Sequence, residues 1–96
     1  MLDNKQKKYL KGQAHHLKQV VQIGSNGVTP KLIKEVLHAL TAHELIKIQV
    51  QHDEKQVRQQ LAEDVCVQTQ SQFVQLIGKQ AIIFKQAETD SKFKLP

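Results

Sequence analysis

The sequence predicts an α/β (α+β) fold: one compact domain in the order α-β-α-β-α-β-β, with a four-stranded mixed sheet and packed helices. Three observations carry this. Ile46, Ile48 and Val50 alternate with Lys47 and Gln49, the period-two pattern of a strand with one buried face. Leu32, Ile33, Val36, Leu37 and Leu40 recur at helical spacing directly after Thr29-Pro30, a capping residue followed by a proline suited to a first helical turn. Two short apolar runs, 72–77 and 80–85, are separated only by Gly78-Lys79, the length of a two-residue hairpin turn with glycine first.

The remaining elements follow in chain order. Asp3 or Asn4 can cap a first helix over residues 5–15, with Tyr9, Leu10 and Ala14 on one side and Lys5, Lys7, Lys8 and Lys11 over much of the rest. Lys7 and Lys11, four apart with like charge, and Gly12 all weaken that helix, so it needs a tertiary partner or an anion. Val20, Val21 and Ile23 give β-branched bulk to a strand over 18–23, which Gly24 ends. The second helix runs from Pro30 to about residue 42. The alternating strand spans 44–51. Asp53 can cap a third helix that reaches about residue 69, with Val57, Leu61 and Val65 at a spacing of four. After Gln86 the chain turns polar, and a frayed tail over 86–96 is expected.

The 96 residues suit one domain, and 40% hydrophobic with 24% charged residues argues against disorder. No apolar run approaches the roughly 18 residues that cross a bilayer, and no apolar stretch follows the lysine-rich start as it would in a signal peptide. The single cysteine, Cys66, allows neither an internal disulfide nor a cysteine-based zinc site. It reads as a small buried apolar side chain in a reducing cytoplasm. Fourteen Lys+Arg against nine Asp+Glu leave a net charge of +5, which favours polyanionic partners through counterion release.

The loop Gly24-Ser25-Asn26-Gly27 is the most informative local feature. Glycine permits positive φ and close backbone approach, Asn26 tolerates a left-handed conformation, and the helix after it offers unpaired N–H groups and a positive dipole end. A phosphate can sit against such donors, as in a GxxG loop that clamps a nucleic-acid backbone. Taken alone, the loop also fits a plain tight turn into a helix. Lysines bracket it: Lys5, Lys7, Lys8, Lys11 and Lys18 before, Lys31 and Lys34 after, with Lys79 at the hairpin tip and Lys85 at the end of the last strand. A solvated basic face explains any one of them; the joint pattern fits phosphate binding better.

The five histidines, His15, His16, His38, His43 and His52, show no HExxH-type spacing, so no metal and no cofactor is expected. His15 and His16 can instead bond phosphate or sugar, or cap the first helix. No nucleophile–base pair, Walker A loop or dinucleotide fingerprint is present, which argues against an enzyme and against a small-molecule substrate. Phe73 and Phe84 read as core, so recognition would rest on backbone and shape more than on stacked aromatics.

Four runs taken together resemble the YhbY-like, or CRM, family (chloroplast RNA splicing and ribosome maturation): residues 11–18 (KGQAHHLK), 20–29 (VVQIGSNGVT), 43–48 (HELIKI) and 77–79 (IGK). The resemblance covers nearly the whole chain. It implies a domain similar to the C-terminal domain of bacterial translation initiation factor three. It also implies RNA binding through the GxxG loop and, for free-standing bacterial members, association with precursors of the large ribosomal subunit. Carried over by position, residues 24–27 match the RNA-contacting loop, and Lys11, Lys18, Lys47 and Lys79 lie in the matching basic motifs. Ser25 stands where many members have lysine, Gln19 where a proline is common, and Lys85 where an arginine often follows the aromatic of the last strand.

The residues therefore point to a non-catalytic, cytoplasmic, monomeric RNA-binding protein, and the resemblance implies ribosomal RNA of large-subunit precursors as its partner. The alternative is a protein-interaction module whose basic face docks an acidic partner.

Overall fold

A computed structural model describes residues 2–96. The first helix, α1 (Asn4–Ala14), opens with a capping box: the Asp3 carboxylate accepts from the Gln6 amide at 2.8 Å, and the Gln6 side chain accepts from the Asp3 amide at 3.1 Å. The chain then forms β1 (Gln19–Ile23), α2 (Pro30–His43), β2 (Leu45–Val50), α3 (Lys55–Thr69), β3 (Gln72–Ile77) and β4 (Gln80–Phe84), the expected order with small shifts at the ends. Thr29 caps α2 by accepting from the Leu32 amide at 3.1 Å.

The sheet order is β1-β2-β4-β3. β1 pairs parallel with β2, using α2 as the crossover, while β4 lies antiparallel between β2 and β3. Helix α3 carries the chain past the place that β4 later fills. The hairpin turn has Gly78 at φ +57, the positive value that a glycine-first turn requires.

Both faces of the sheet are covered, which makes three layers. On one face Ile23, Ile46, Ile48, Val50, Ala81 and Ile83 meet Leu32, Val36 and Leu40 of α2 and Ala62, Val65 and Cys66 of α3. On the other, Leu45, Val74, Ile82 and Phe84 meet Leu2, Leu10 and Ala14, with Tyr9 alongside. This second face is covered only in part, because α1 is short. The polar residues of β2 that alternate with its buried ones, Lys47 and Gln49, are half-buried there.

The structure corrects the sequence reading in two places. Asp53 does not cap α3; the cap position is Glu54, with no side-chain bond to the helix. Arg58 instead ties the helix start to the hairpin. Its guanidinium donates to the carbonyls of His52 and Asp53, each at 2.8 Å, and to that of Gly78 at 3.0 Å.

The segment after Gln86 is also held rather than frayed. Glu44 joins α2 to β2 at φ +63, with its side chain buried. Its carboxylate accepts from the Ala87 amide at 3.1 Å, the Ser91 hydroxyl at 2.6 Å and the Lys92 amide at 2.6 Å. Burial alone would push this carboxyl up. The bonds from Ser91, Lys92 and Ala87, helped by the Lys92 charge, outweigh it and hold the group below the usual carboxylate range. Phe93 then packs edge-on against Phe84 with ring centres 5.6 Å apart, and Leu95 joins the same cluster. A polar composition with two isolated apolar residues gave no sign of this docking.

Candidate nucleic-acid interface

The parallel pairing of β1 and β2 puts their C-terminal ends at one end of the sheet, where the Gln51 amide donates to the Ile23 carbonyl at 3.0 Å. The β3–β4 hairpin tip reaches the same end, since the Val50 amide donates to the Lys79 carbonyl at 2.7 Å. The glycine loop, the start of α2 and the hairpin tip therefore share one end of the molecule.

Within the loop, the Gly27 amide donates to the Gly24 carbonyl at 3.0 Å, closing a tight turn, and Gly27 takes φ +69. The amides of Ser25 and Asn26 meet no acceptor among the described residues. Gly24 is not in the left-handed region, and a Cβ there would meet nothing within 4 Å. The fold leaves open space over this residue. The loop and the first turn of α2 bound a cleft of about 270 Å³, lined also by Gln22, Thr29, Lys31 and Glu35. The N-terminus of α2, Lys31 and the Glu35 carboxylate all border this space, so it offers a positive dipole end and one ammonium beside one acidic group.

The expected lysines divide by position. Lys31 lines the loop cleft. Lys34, one turn on, faces the flank of β1 beside Val20 and His38. Lys79 is exposed at the hairpin tip, in a 3.7 Å pairing with the exposed Asp53 that water and salt screen. No other lysine among the described residues is within ion-pair distance of a carboxylate. Lys11 and Lys47 come together from α1 and β2 across the open part of the second sheet face, in a groove shared with His15 and His16. Lys8 is exposed one turn earlier on α1.

Lys18 and Lys85 are not brought to the loop. Lys18 precedes β1 and so lies at the other end of that strand. Lys85 follows β4 at the same far end, and its ammonium donates to the Thr69 carbonyl at 2.9 Å, closing the C-terminus of α3.

Among the described residues no three His, Cys, Asp or Glu side chains gather as a metal site, and no helix is long and apolar enough to cross a membrane. Cys66 is buried; burial pushes its thiol up, and a hydrogen bond with Ser71 offsets this only in part.

Fold and site together define a small basic α+β domain that presents a glycine loop at the N-terminus of a helix. The chain belongs to the CRS1 / YhbY (CRM) domain family, whose model matches residues 2–85. It is 36% identical over 96 residues to YqeI of Bacillus subtilis (strain 168), named a probable RNA-binding protein, with all of both chains covered. It is 38% identical over 95 residues to a Haemophilus influenzae protein named as RNA-binding, covering 99% of this chain and 95% of that one. The solution structure of the hypothetical protein SAV1595 from Staphylococcus aureus superposes with a TM-score of 0.89 at 34% identity, over the full length of both chains.

Proposed function

We propose that this chain is a non-catalytic RNA-binding protein that associates with ribosomal RNA in precursors of the large ribosomal subunit, acting as a cytoplasmic monomer without a cofactor. The observation that carries RNA binding is the cleft between residues 24–27 and the start of α2, which Lys31 lines together with Ser25 and Asn26, the two residues with unbonded amides. Membership of the CRM family and relatives named as RNA-binding support the same reading. The ribosomal part of the proposal rests on the family resemblance.

The phosphate backbone supplies most of the affinity in this reading. Loop amides and the α2 dipole hold a phosphate in place, while the lysines add a screened, sequence-independent attraction. Binding then orders or shields an RNA site during assembly without chemistry.

The test is co-sedimentation of the tagged protein with ribosomal particles from lysate, with and without RNase, beside a Gly24→Asp variant. Enrichment on immature large-subunit particles that both RNase and Gly24→Asp abolish supports the proposal. The Gly24→Asp change adds a carboxylate where a phosphate would sit, at a position whose φ and open surroundings accept a side chain. Residence in the ribosome-free fraction at every salt overturns the ribosomal reading and turns attention to an acidic protein partner.

A further inference from the structure

The groove between the last turn of α1 and the open half of the sheet is separate from the loop cleft. Its volume, about 470 Å³, falls in the roughly 300–1,000 Å³ range of small-ligand sites. Gly12, His15 and His16 form one wall, Lys47 and Gln75 the other, with Ile77 at the rim. The His15 and His16 rings stand edge to face, with centres 5.1 Å apart. Ile77 is 53% exposed and offers an apolar surface at that rim. No acidic residue lines the groove.

This combination suits an unpaired nucleotide. Imidazole faces and an exposed isoleucine accept a base by stacking and apolar contact. A glutamine side chain both donates and accepts, as the edge of a base demands, and two ammonium groups, Lys11 and Lys47, neutralise its phosphate. Gly12 makes one wall of backbone only.

The sheet register also joins this groove to the loop cleft. Lys47 and Gln49 lie on the same face, two residues apart; Gln49 is paired with Gln22, which lines the loop cleft. At about 7 Å for two residues along a strand and about 5 Å between strands, the path from groove to cleft is on the order of 12 Å. It is surfaced by glutamines and lysine throughout.

We infer that the groove formed by Gly12, His15, His16, Lys47 and Gln75 holds an unpaired RNA nucleotide of the strand whose backbone the residue 24–27 loop grips. This rests on the RNA-binding function proposed above and deepens it, making single-stranded or looped RNA the preferred ligand over duplex.

Fluorescence anisotropy tests it with a fluorescein-labelled twelve-nucleotide single-stranded RNA of mixed sequence and with the same strand annealed to its complement. Three variants are compared with the parent: Gly24→Asp in the loop, and Gly12→Gln and Gln75→Glu in the groove. A Cβ at residue 12 would meet nothing within 4 Å, so Gly12→Gln extends a side chain at the groove wall without disturbing the core, and its melting temperature is expected at or above the parent's. The groove variants are expected to bind single-stranded RNA roughly tenfold more weakly and duplex RNA within about twofold of the parent, while Gly24→Asp weakens both. If both groove variants keep parental affinity for the single strand, or lose both RNAs equally, the nucleotide site is overturned while the loop reading stands. If the parent binds neither RNA, both fall.

Discussion

Replacing Lys11, Lys31 and Lys47 together by glutamine removes three ammonium groups that the structure places at the loop cleft and the sheet groove, none of them paired with a carboxylate. Each phosphate contact on a single strand contributes about 0.7 to the slope of log affinity against log salt. Loss of three contacts should flatten that slope by about 2. Between about 50 and about 200 mM salt the triple variant should then lose about 20-fold less affinity than the parent loses. Lys85→Gln is the matched control. It removes one charge, but the ammonium lies at the far end of the sheet and already donates to the Thr69 carbonyl. Its salt slope should equal the parent's, while its stability falls by about 1 kcal/mol as that carbonyl loses its donor. Anisotropy titrations at four or five salt concentrations give the slopes. Parallel lines for the triple variant and the parent, or equal flattening by Lys85→Gln, would refute the assignment of the cationic face.

Other consequences can be read by melting and reactivity. Glu44→Gln should destabilise the fold by about 2 kcal/mol, because an amide replaces a carboxylate that accepts three bonds from the C-terminal segment. Since the folded Glu44 holds its charge to lower pH than the unfolded chain does, its stabilisation is complete above the ordinary glutamate value of about 4.3. That stabilisation is lost as pH falls through the lower folded value, so the gap between parent and Glu44→Gln should close on acidification. A gap that widens instead would reverse the sign. Gly27→Ala, at φ +69, should cost about 1 kcal/mol in urea unfolding, whereas Gly24→Ala should be nearly neutral; equal effects would remove the conformational distinction drawn between the two glycines. Cys66 should react with a thiol reagent roughly tenfold or more slower in the folded than in the unfolded protein, and fast labelling under native conditions would contradict its burial.

The elements were legible because their signals are local. The β2 alternation, the Thr29-Pro30 start and the Gly78 turn each depend on neighbours a few residues away, and each element formed where it was expected. What stayed hidden depends on distant partners. Glu44 meets residues 43 to 48 positions further on, and Arg58 meets Gly78 twenty positions on. Neither pairing leaves a periodic trace. The lysines show the same limit. Lys31 follows the loop directly in the sequence, whereas only the sheet order puts Lys85, also a cation next to an element's end, at the far end beside Thr69. Gly12 read as a weakness in a helix, and its place in a groove wall emerged only once α1 lay across the sheet. The His15-His16 pair could have drawn attention to that groove, since adjacent polar aromatics at a helix end are suited to contacts beyond their own helix.

The partial covering of the second sheet face has a consequence for how the protein opens. That layer rests on Leu2, Leu10, Ala14, Phe93 and Leu95, a smaller set than the side chains α2 and α3 bury on the other face. The α1 layer is therefore the natural first unit to detach in a sub-global fluctuation, while the β2–β4 centre and its two long helices persist. An RNA strand that touches α1 and the sheet together binds only the closed form, so it would draw that equilibrium shut by mass action. Amide hydrogen exchange would register this as slower exchange across residues 4–14 in the presence of RNA, with little change in β4.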